Sequence, residues 1–180
     1  MRIVAGERKG ARLAAPPGRA TRPTPDRVRE ALFSILADVT DARVLEPFAG
    51  TGALGFEALS RGAAEVAFCE LDGAALAVLR ENAARLRYAD RCTIRRQDGR
   101  RRLASDSAAG VAYDLILLDP PYQMLSSLTE DLARHLPALL RSGGRAVLES
   151  DGRAEAPALP LPVLTERVYG GTRITVLGHG

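Results

Sequence analysis

Arg43-Val44-Leu45-Glu46-Pro47-Phe48-Ala49-Gly50-Thr51-Gly52-Ala53-Leu54-Gly55 reads as a strand, a glycine loop and the opening of a helix that runs through Leu59. Glycines let backbone approach a ligand closely, and the helix start behind them presents unpaired N–H groups. Gly50, Gly52 and Gly55 match GxGxxG, a weak sign of a nucleotide cofactor on its own. The next apolar run, Glu65 to Glu70, supplies a second strand. It ends in an acid eighteen residues after Gly52, close to the spacing at which a carboxylate accepts hydrogen bonds from a ribose. Glu70 is therefore the expected ribose ligand, with Asp72 as a second candidate. Leu76, Leu79, Ala83 and Leu86 mark a helix. Cys92-Thr93-Ile94 begins a third strand ending at Gln97-Asp98-Gly99, where Asp98 is suited either to an adenine amine or to capping a helix.

The run Tyr113-Asp114-Leu115-Ile116-Leu117-Leu118 is continuous rather than alternating, as in a parallel strand covered on both faces. Asp119-Pro120-Pro121-Tyr122 follows at its carboxyl end, where open α/β sheets collect their ligands. Neither proline has an N–H, and each restricts the residue before it to extended geometry. A carboxylate, the carbonyls of Asp119 and Pro120, and a ring suit an exocyclic amine, which needs acceptors, on a flat base, which needs a stacking face. Beyond it come a helix around Leu128 to Leu140, broken near Pro137, and a turn at Ser142-Gly143-Gly144. A fifth strand at Arg145 to Glu149 follows, and then a hairpin of Leu164 to Tyr169 and Thr172 to Leu177 joined at Gly170-Gly171. His135 belongs to a helix surface.

At 180 residues the chain suits one catalytic domain. The amino terminus lacks an apolar signal core, and no stretch reaches the roughly 18 apolar residues that span a bilayer, so a cytoplasmic protein is expected. Cys69 and Cys92 are isolated, and His135 and His179 are the only histidines, so no metal site is expected. The first thirty residues hold eight cations against three acids, a net +5 in a chain of +3, as a phosphate-binding surface would. Residues 2 to 14 suggest a β-hairpin. Thr24-Pro25-Asp26 then starts a helix with Thr24 as cap and Pro25 at the first helical position. Its apolar stripe is Val28, Ala31, Leu32, Ile35, Leu36 and Val39, with Arg27, Arg29, Glu30 and Ser34 off it; its arginines are expected to face outward. Arg95, Arg96 and Arg100 to Arg102 are expected to be solvated.

Glu46 to Gly52 resembles the cofactor loop of class I S-adenosylmethionine methyltransferases, and Asp119 to Tyr122 their amino-methylating DPPY signature. At whole-chain level the sequence is similar to the bacterial 16S rRNA guanine-N2 methyltransferase family, RsmD. That likeness extends to Arg2-Ile3-Val4-Ala5-Gly6 with Lys9-Gly10, Thr21-Arg22-Pro23-Thr24 with Asp26 to Phe33, and Tyr169-Gly170-Gly171-Thr172. The chain departs from the family's Asp-Leu-Phe-Ala-Gly-Ser-Gly at Glu46, Pro47 and Thr51, and from its Gly-Asp-Ala at Gln97 and Gly99.

The resemblance implies a Rossmann-like fold: a mostly parallel seven-stranded sheet with helices on both faces, a C-terminal antiparallel hairpin and a small N-terminal β-hairpin extension. Residues 1–24 would form that basic extension, which contacts RNA, and residues 25–180 the methyltransferase domain. It implies S-adenosyl-L-methionine as cofactor, bound by Glu46, Phe48, Gly50, Thr51, Gly52, Glu70, Asp98 and Asp119. Asp119, Pro120, Pro121 and Tyr122 would be catalytic, and Arg2, Lys9, Arg22, Arg27 and Arg29 would hold RNA. The expected partner is 16S rRNA in the small subunit or an assembly intermediate, and the expected state a monomer. The rival readings are a DNA N6-adenine methyltransferase, for which no DNA-recognition insertion is visible, and a catalytically silent RNA-binding module. A nicotinamide dehydrogenase would leave Asp119 to Tyr122 unexplained.

Overall fold

The computed structural model describes residues 1–16 and 25–178. Its centre is a sheet of seven strands: β1 (Arg43–Glu46), β2 (Glu65–Glu70), β3 (Cys92–Arg96), β4 (Tyr113–Leu118), β5 (Leu140–Asp151), β6 (Val163–Tyr169) and β7 (Thr172–Gly178). They lie in the order β3-β2-β1-β4-β5-β7-β6. Strands β1 to β5 run parallel, and β7 and β6 close the far edge antiparallel. The order reverses between β1 and β4, which opens a crevice at their carboxyl ends.

Strand β4 shows why an unbroken apolar run suits this place. Leu115 and Leu117 enter the core on one face of the sheet, Ile116 and Leu118 the core on the other. The first face is covered by helices α1 (Asp26–Leu36), α2 (Ala53–Ser60) and α3 (Gly73–Arg85), the second by α4 (Gly99–Ala108) and α5 (Tyr122–Leu139). Helix α5 presents Leu128, Leu132, Leu136 and Leu139 as a fully buried stripe. Each of these leucines contributes roughly 1.5–3 kcal/mol relative to exposure.

Several expectations need correction. Helix α5 starts at Tyr122 and runs through Pro137 to Leu139. It is not broken there, because the buried Leu136 and Leu139 hold the last turn on either side of the proline. The Ser142-Gly143-Gly144 turn is an irregularity inside a longer β5: pairing with β4 jumps from Tyr113↔Leu140 to Leu115↔Arg145, and Gly143 takes φ 73°. Asp98 takes the capping role open to it, at the start of helix α4, whose extent was not anticipated. The amino-terminal hairpin is present as a short antiparallel pairing, bridged at Arg2 and Arg12 and held by backbone bonds from Ile3 to Ala11, Gly10 to Ile3 and Leu13 to Met1, with Ile3 and Leu13 buried in the same core as α1, α2 and α3. Pro25 occupies the N-cap position of α1 rather than its first turn, and Thr24 lies outside the described residues. Val39 lies beyond the helix, which ends at Leu36, where Arg145 on β5 donates to the Leu36 carbonyl (2.6 Å). No helix among the described residues is long and apolar enough to cross a membrane.

Candidate active site

The crevice is built from the ends of β1 and β4. These strands pair at Val44↔Leu115 and Leu45↔Ile116, so Glu46 stands beside Leu117 and Asp119 lies just beyond it on the neighbouring strand. Parallel neighbours are about 4.8 Å apart. Glu46 is buried (2% exposed), and its Oε2 accepts from the Gly55 N–H at 2.8 Å. Burial drives its carboxyl well above the usual carboxylate range against the N–H donors of Gly55 and Leu54, and the charges of Asp119 and Glu70 push it in the same direction. Three carboxylates therefore converge here, and a ligand carrying positive charge would relieve their repulsion.

The glycine loop is shaped for close approach. Gly50 and Gly52 take φ of 53° and 79°, the left-handed region that favours glycine, and Gly52 is the N-cap of α2. A Cβ on Gly52 would lie 2.6 Å from the Phe56 ring and strike Leu79 of α3, and one on Gly55 would lie 2.6 Å from Glu46 Oε2. Glu70 ties the loop to the end of β2: its Oε2 accepts from Gly50 N–H, and its Oε1 from the N–H groups of Leu71 and Asp72, all at 2.7 Å. The expected ribose ligand thus also sets the loop's position. Thr51 and Phe48 are half-buried at the same loop.

The acids at the next two strand ends cap helices. Asp98 Oδ1 accepts from Arg100 N–H (2.8 Å) at the start of α4, and Asp72 from Ala75 N–H (2.9 Å) at the start of α3. Asp98 nevertheless borders the loop, because a Cβ on its neighbour Gly99 would strike the Pro47 carbonyl and the Phe48 ring. Across the crevice Asp119 is half-buried, Pro120 is buried and Pro121 exposed. Tyr122 opens α5 with 38% of its surface exposed, so its ring is accessible. A cavity of about 320 Å³ lies instead at the opposite, amino-terminal ends of the strands. There Arg141 pairs with Asp114 at 2.9 Å, far from these residues.

The basic surface divides. Arg2, Lys9 and Arg27 are exposed, Arg2 lying 3.3 Å from Asp26. Arg22 lies outside the described residues. Arg29 does not face solvent: it is wholly buried, 2.9 Å from Asp26 and 3.8 Å from Glu57 of α2. The stripe read from the sequence was turned slightly too far. The buried face of α1 carries Val28, Arg29, Leu32, Phe33 and Leu36, and a charge on it is held by acids from two elements. The signal that could have shown this was Glu57, an acid inside the apolar run of α2 that demands a cation.

Arg102 is likewise buried, not solvated, paired with Asp106 at 2.6 Å and donating to Tyr113 Oη at 3.1 Å. Sequence reasoning also missed Asn82, a fully buried amide on α3. It accepts from Ala14 N–H (2.8 Å) and donates to the carbonyls of Ala14 and Thr51 (3.2 Å each). Among the described residues no cluster of three or more metal-binding side chains occurs.

The family model described as conserved hypothetical protein 95 matches residues 1–178. YlbH of Bacillus subtilis, named as a candidate rRNA methyltransferase, is 33% identical over 98% of this chain and 97% of its own. Ribosomal RNA small subunit methyltransferase D of Escherichia coli is 40% identical over 130 residues, which span 68% of this chain and 61% of that protein. The solved structure of yhhF from Escherichia coli, described as a candidate methyltransferase, is 33% identical and covers 99% of this chain and 97% of its own at a TM-score of 0.86. A match that runs through the hairpin, the glycine loop, Asp119 to Tyr122 and the closing strands leaves one conclusion: the chain belongs to the conserved hypothetical protein 95 family, that of the RsmD methyltransferases.

Proposed function

We propose that the chain methylates the exocyclic N2 amine of a guanine in the 16S rRNA of the small ribosomal subunit, using S-adenosyl-L-methionine. The observation that carries this reading is the meeting of Glu46 and Asp119 at the reversal point of the sheet. The glycine loop borders it on one side and the exposed ring of Tyr122 on the other. The cofactor suits this donor set, since Gly50 leaves open space for it above the loop that Gly52 lets pack against the core, and its ammonium and sulfonium charges answer the nearby acids.

When bound, S-adenosylmethionine supplies an electrophilic methyl group. Glu70 and the Gly50 to Gly52 loop hold the donor's place, and Glu46 offsets its charge from beneath. Asp119 and the carbonyl groups beside the prolines would accept hydrogen bonds from the two amine N–H groups and turn the nitrogen lone pair, otherwise delocalised into the purine, toward the methyl. As the N–C bond forms and the C–S bond breaks, S-adenosylhomocysteine is released and Asp119 takes the surplus amine proton. Positioning and electrostatic complementarity are then most of the catalysis. Tyr122 stacks on the base once it is splayed from the RNA. Residues 1–24 and Arg27 hold flanking phosphates, which orient the substrate without reading its sequence. The protein works as a monomer in the cytoplasm, where small subunits assemble.

Methyl transfer from tritiated cofactor to 30S subunits, naked 16S rRNA and duplex DNA tests this reading. Label in ribosomal RNA, released as N2-methylguanosine on digestion, is expected. Label confined to DNA, or N6-methyladenine as product, would overturn it.

A further inference from the structure

The amino-terminal segment is fastened at both ends to the elements that form the cofactor loop. At one end, Glu57 of α2 accepts from the N–H groups of Val4 (2.7 Å) and Ala5 (3.0 Å), and Ser60 of the same helix accepts from Glu7 and Arg8. Helix α2 has Gly52 as its N-cap. At the other end stands Asn82, whose side-chain amide pairs with both backbone groups of Ala14 as a neighbouring strand would, while its NH₂ also reaches the Thr51 carbonyl. Leu79, one turn earlier on the same face of α3, is the side chain that a Cβ on Gly52 would strike. Helix α3 thus lies directly beneath the loop, with one polar side chain that touches both loop and amino-terminal segment.

A buried amide is costly unless its hydrogen bonds are made, and an apolar residue of similar size would fill the same space without that requirement. Here the donors and acceptor go to two chain segments with separate tasks. Thr51 sits between the two glycines of the cofactor loop. Ala14 leads into the stretch that carries Arg19 and Arg22 in the sequence. A ligand that shifts or steadies the Thr51 carbonyl changes the geometry of the bond to Asn82, and with it the pairing to Ala14. The route is one side chain long.

We propose that Asn82 is a positioning residue that couples cofactor binding to RNA binding, through its shared hydrogen bonds to Thr51 of the cofactor loop and Ala14 of the basic amino-terminal segment. The proposal rests on the methyltransferase reading of the site and adds to it a thermodynamic link between the two substrates. Linkage of this kind is reciprocal: RNA tightens the cofactor by the factor with which the cofactor tightens RNA.

The test compares wild type with Asn82→Asp and Asn82→Ser, measuring the affinity of S-adenosylhomocysteine with and without saturating 16S rRNA. Wild type should show tightening by about 5-fold or more, within the usual range of coupling factors. In both variants the ratio should fall to about one. A merely structural asparagine would lower the melting temperature and leave the ratio unchanged, and that result overturns the proposal, as does a ratio of one in wild type. Should the variants fail to fold, hydrogen exchange of wild type decides. Saturating S-adenosylhomocysteine should slow exchange of the Ala14 amide, and unchanged exchange in a protein that binds the ligand overturns the coupling. Failure of wild type to bind S-adenosylhomocysteine at all would overturn the methyltransferase reading, and the coupling with it.

Discussion

At the scale of single residues, Asp119 and Glu46 are both carboxylates at strand ends, yet their surroundings give them different work. Asp119 is half-buried at the mouth of the crevice, where an amine can reach it. Asp119→Ala is therefore expected to slow methyl transfer by roughly 10²-fold or more, as loss of one preorganised hydrogen-bond partner does. Cofactor affinity should fall far less than the rate, since Glu46 and Glu70 remain, and wild-type single-turnover rates would remove Asp119 from the mechanism. Glu46 is buried under the loop, and its raised pKa makes it a proton store. Between the ordinary carboxylate value of 4.5 and the raised folded one, the native state holds a proton that the unfolded chain has released. Stability accordingly falls as pH rises through that window, and Glu46→Gln should flatten the dependence. Binding of a sulfonium and an ammonium favours the ionised acid, so S-adenosylmethionine should expel a proton from wild type and none from Glu46→Gln. Calorimetry in two buffers of different ionisation enthalpy measures this directly, and wild-type heats that do not depend on buffer would contradict it.

At the scale of elements, Gly99 joins α4 closely to the glycine loop: a Cβ there would strike the backbone carbonyl of Pro47 and the ring of Phe48. Gly99→Ala should cost about 1–3 kcal/mol through overpacking and weaken cofactor binding, which a denaturant melt and a titration with S-adenosylhomocysteine would show. A melt unchanged from wild type would mean that the loop yields freely. The strands were legible because parallel, doubly covered strands leave unbroken apolar runs, as in Tyr113 to Leu118, and the candidate site was legible because acids stand at the carboxyl ends of such strands, where open sheets collect ligands. Helix α4 was hidden by its own composition: Arg100 to Arg102 suggest solvent, and only the Asp106 and Tyr113 partners, brought together by the fold, make Arg102 a buried residue. Pro137 misled for a related reason, since a local helix breaker was read without the buried leucines on either side that outweigh it.

At the scale of the whole molecule, the chain's modest charge of +3 conceals a partition, with +5 in the first thirty residues, of which the stretch from Val4 to Ala14 is fastened by Glu57 and Asn82 beside the glycine loop. The fold sorts these cations by exposure. Arg2 and Arg27 are exposed, while Arg29 is sealed between α1 and α2 against Glu57. Neutralising the first two as Arg2→Gln and Arg27→Gln should weaken binding to 16S rRNA and lower the slope of log affinity against log salt. The slope should drop by about 0.7 for each single-strand phosphate that the protein no longer neutralises, with melting temperature nearly unchanged. Arg29→Met should do the reverse. It strips the wholly buried Glu57 of one of its two cations, Arg61 remaining at 2.8 Å, and should cost about 1–3 kcal/mol of stability, as when a buried polar group loses one partner. In the fraction that stays folded, the salt slope should match wild type, because the side chain never met solvent or phosphate. Salt titrations and denaturant melts on the same two proteins separate these outcomes. A reduced slope in Arg29→Met would place that arginine on the RNA after all, and an unchanged slope in the double variant would make the exposed cations a merely solvated surface.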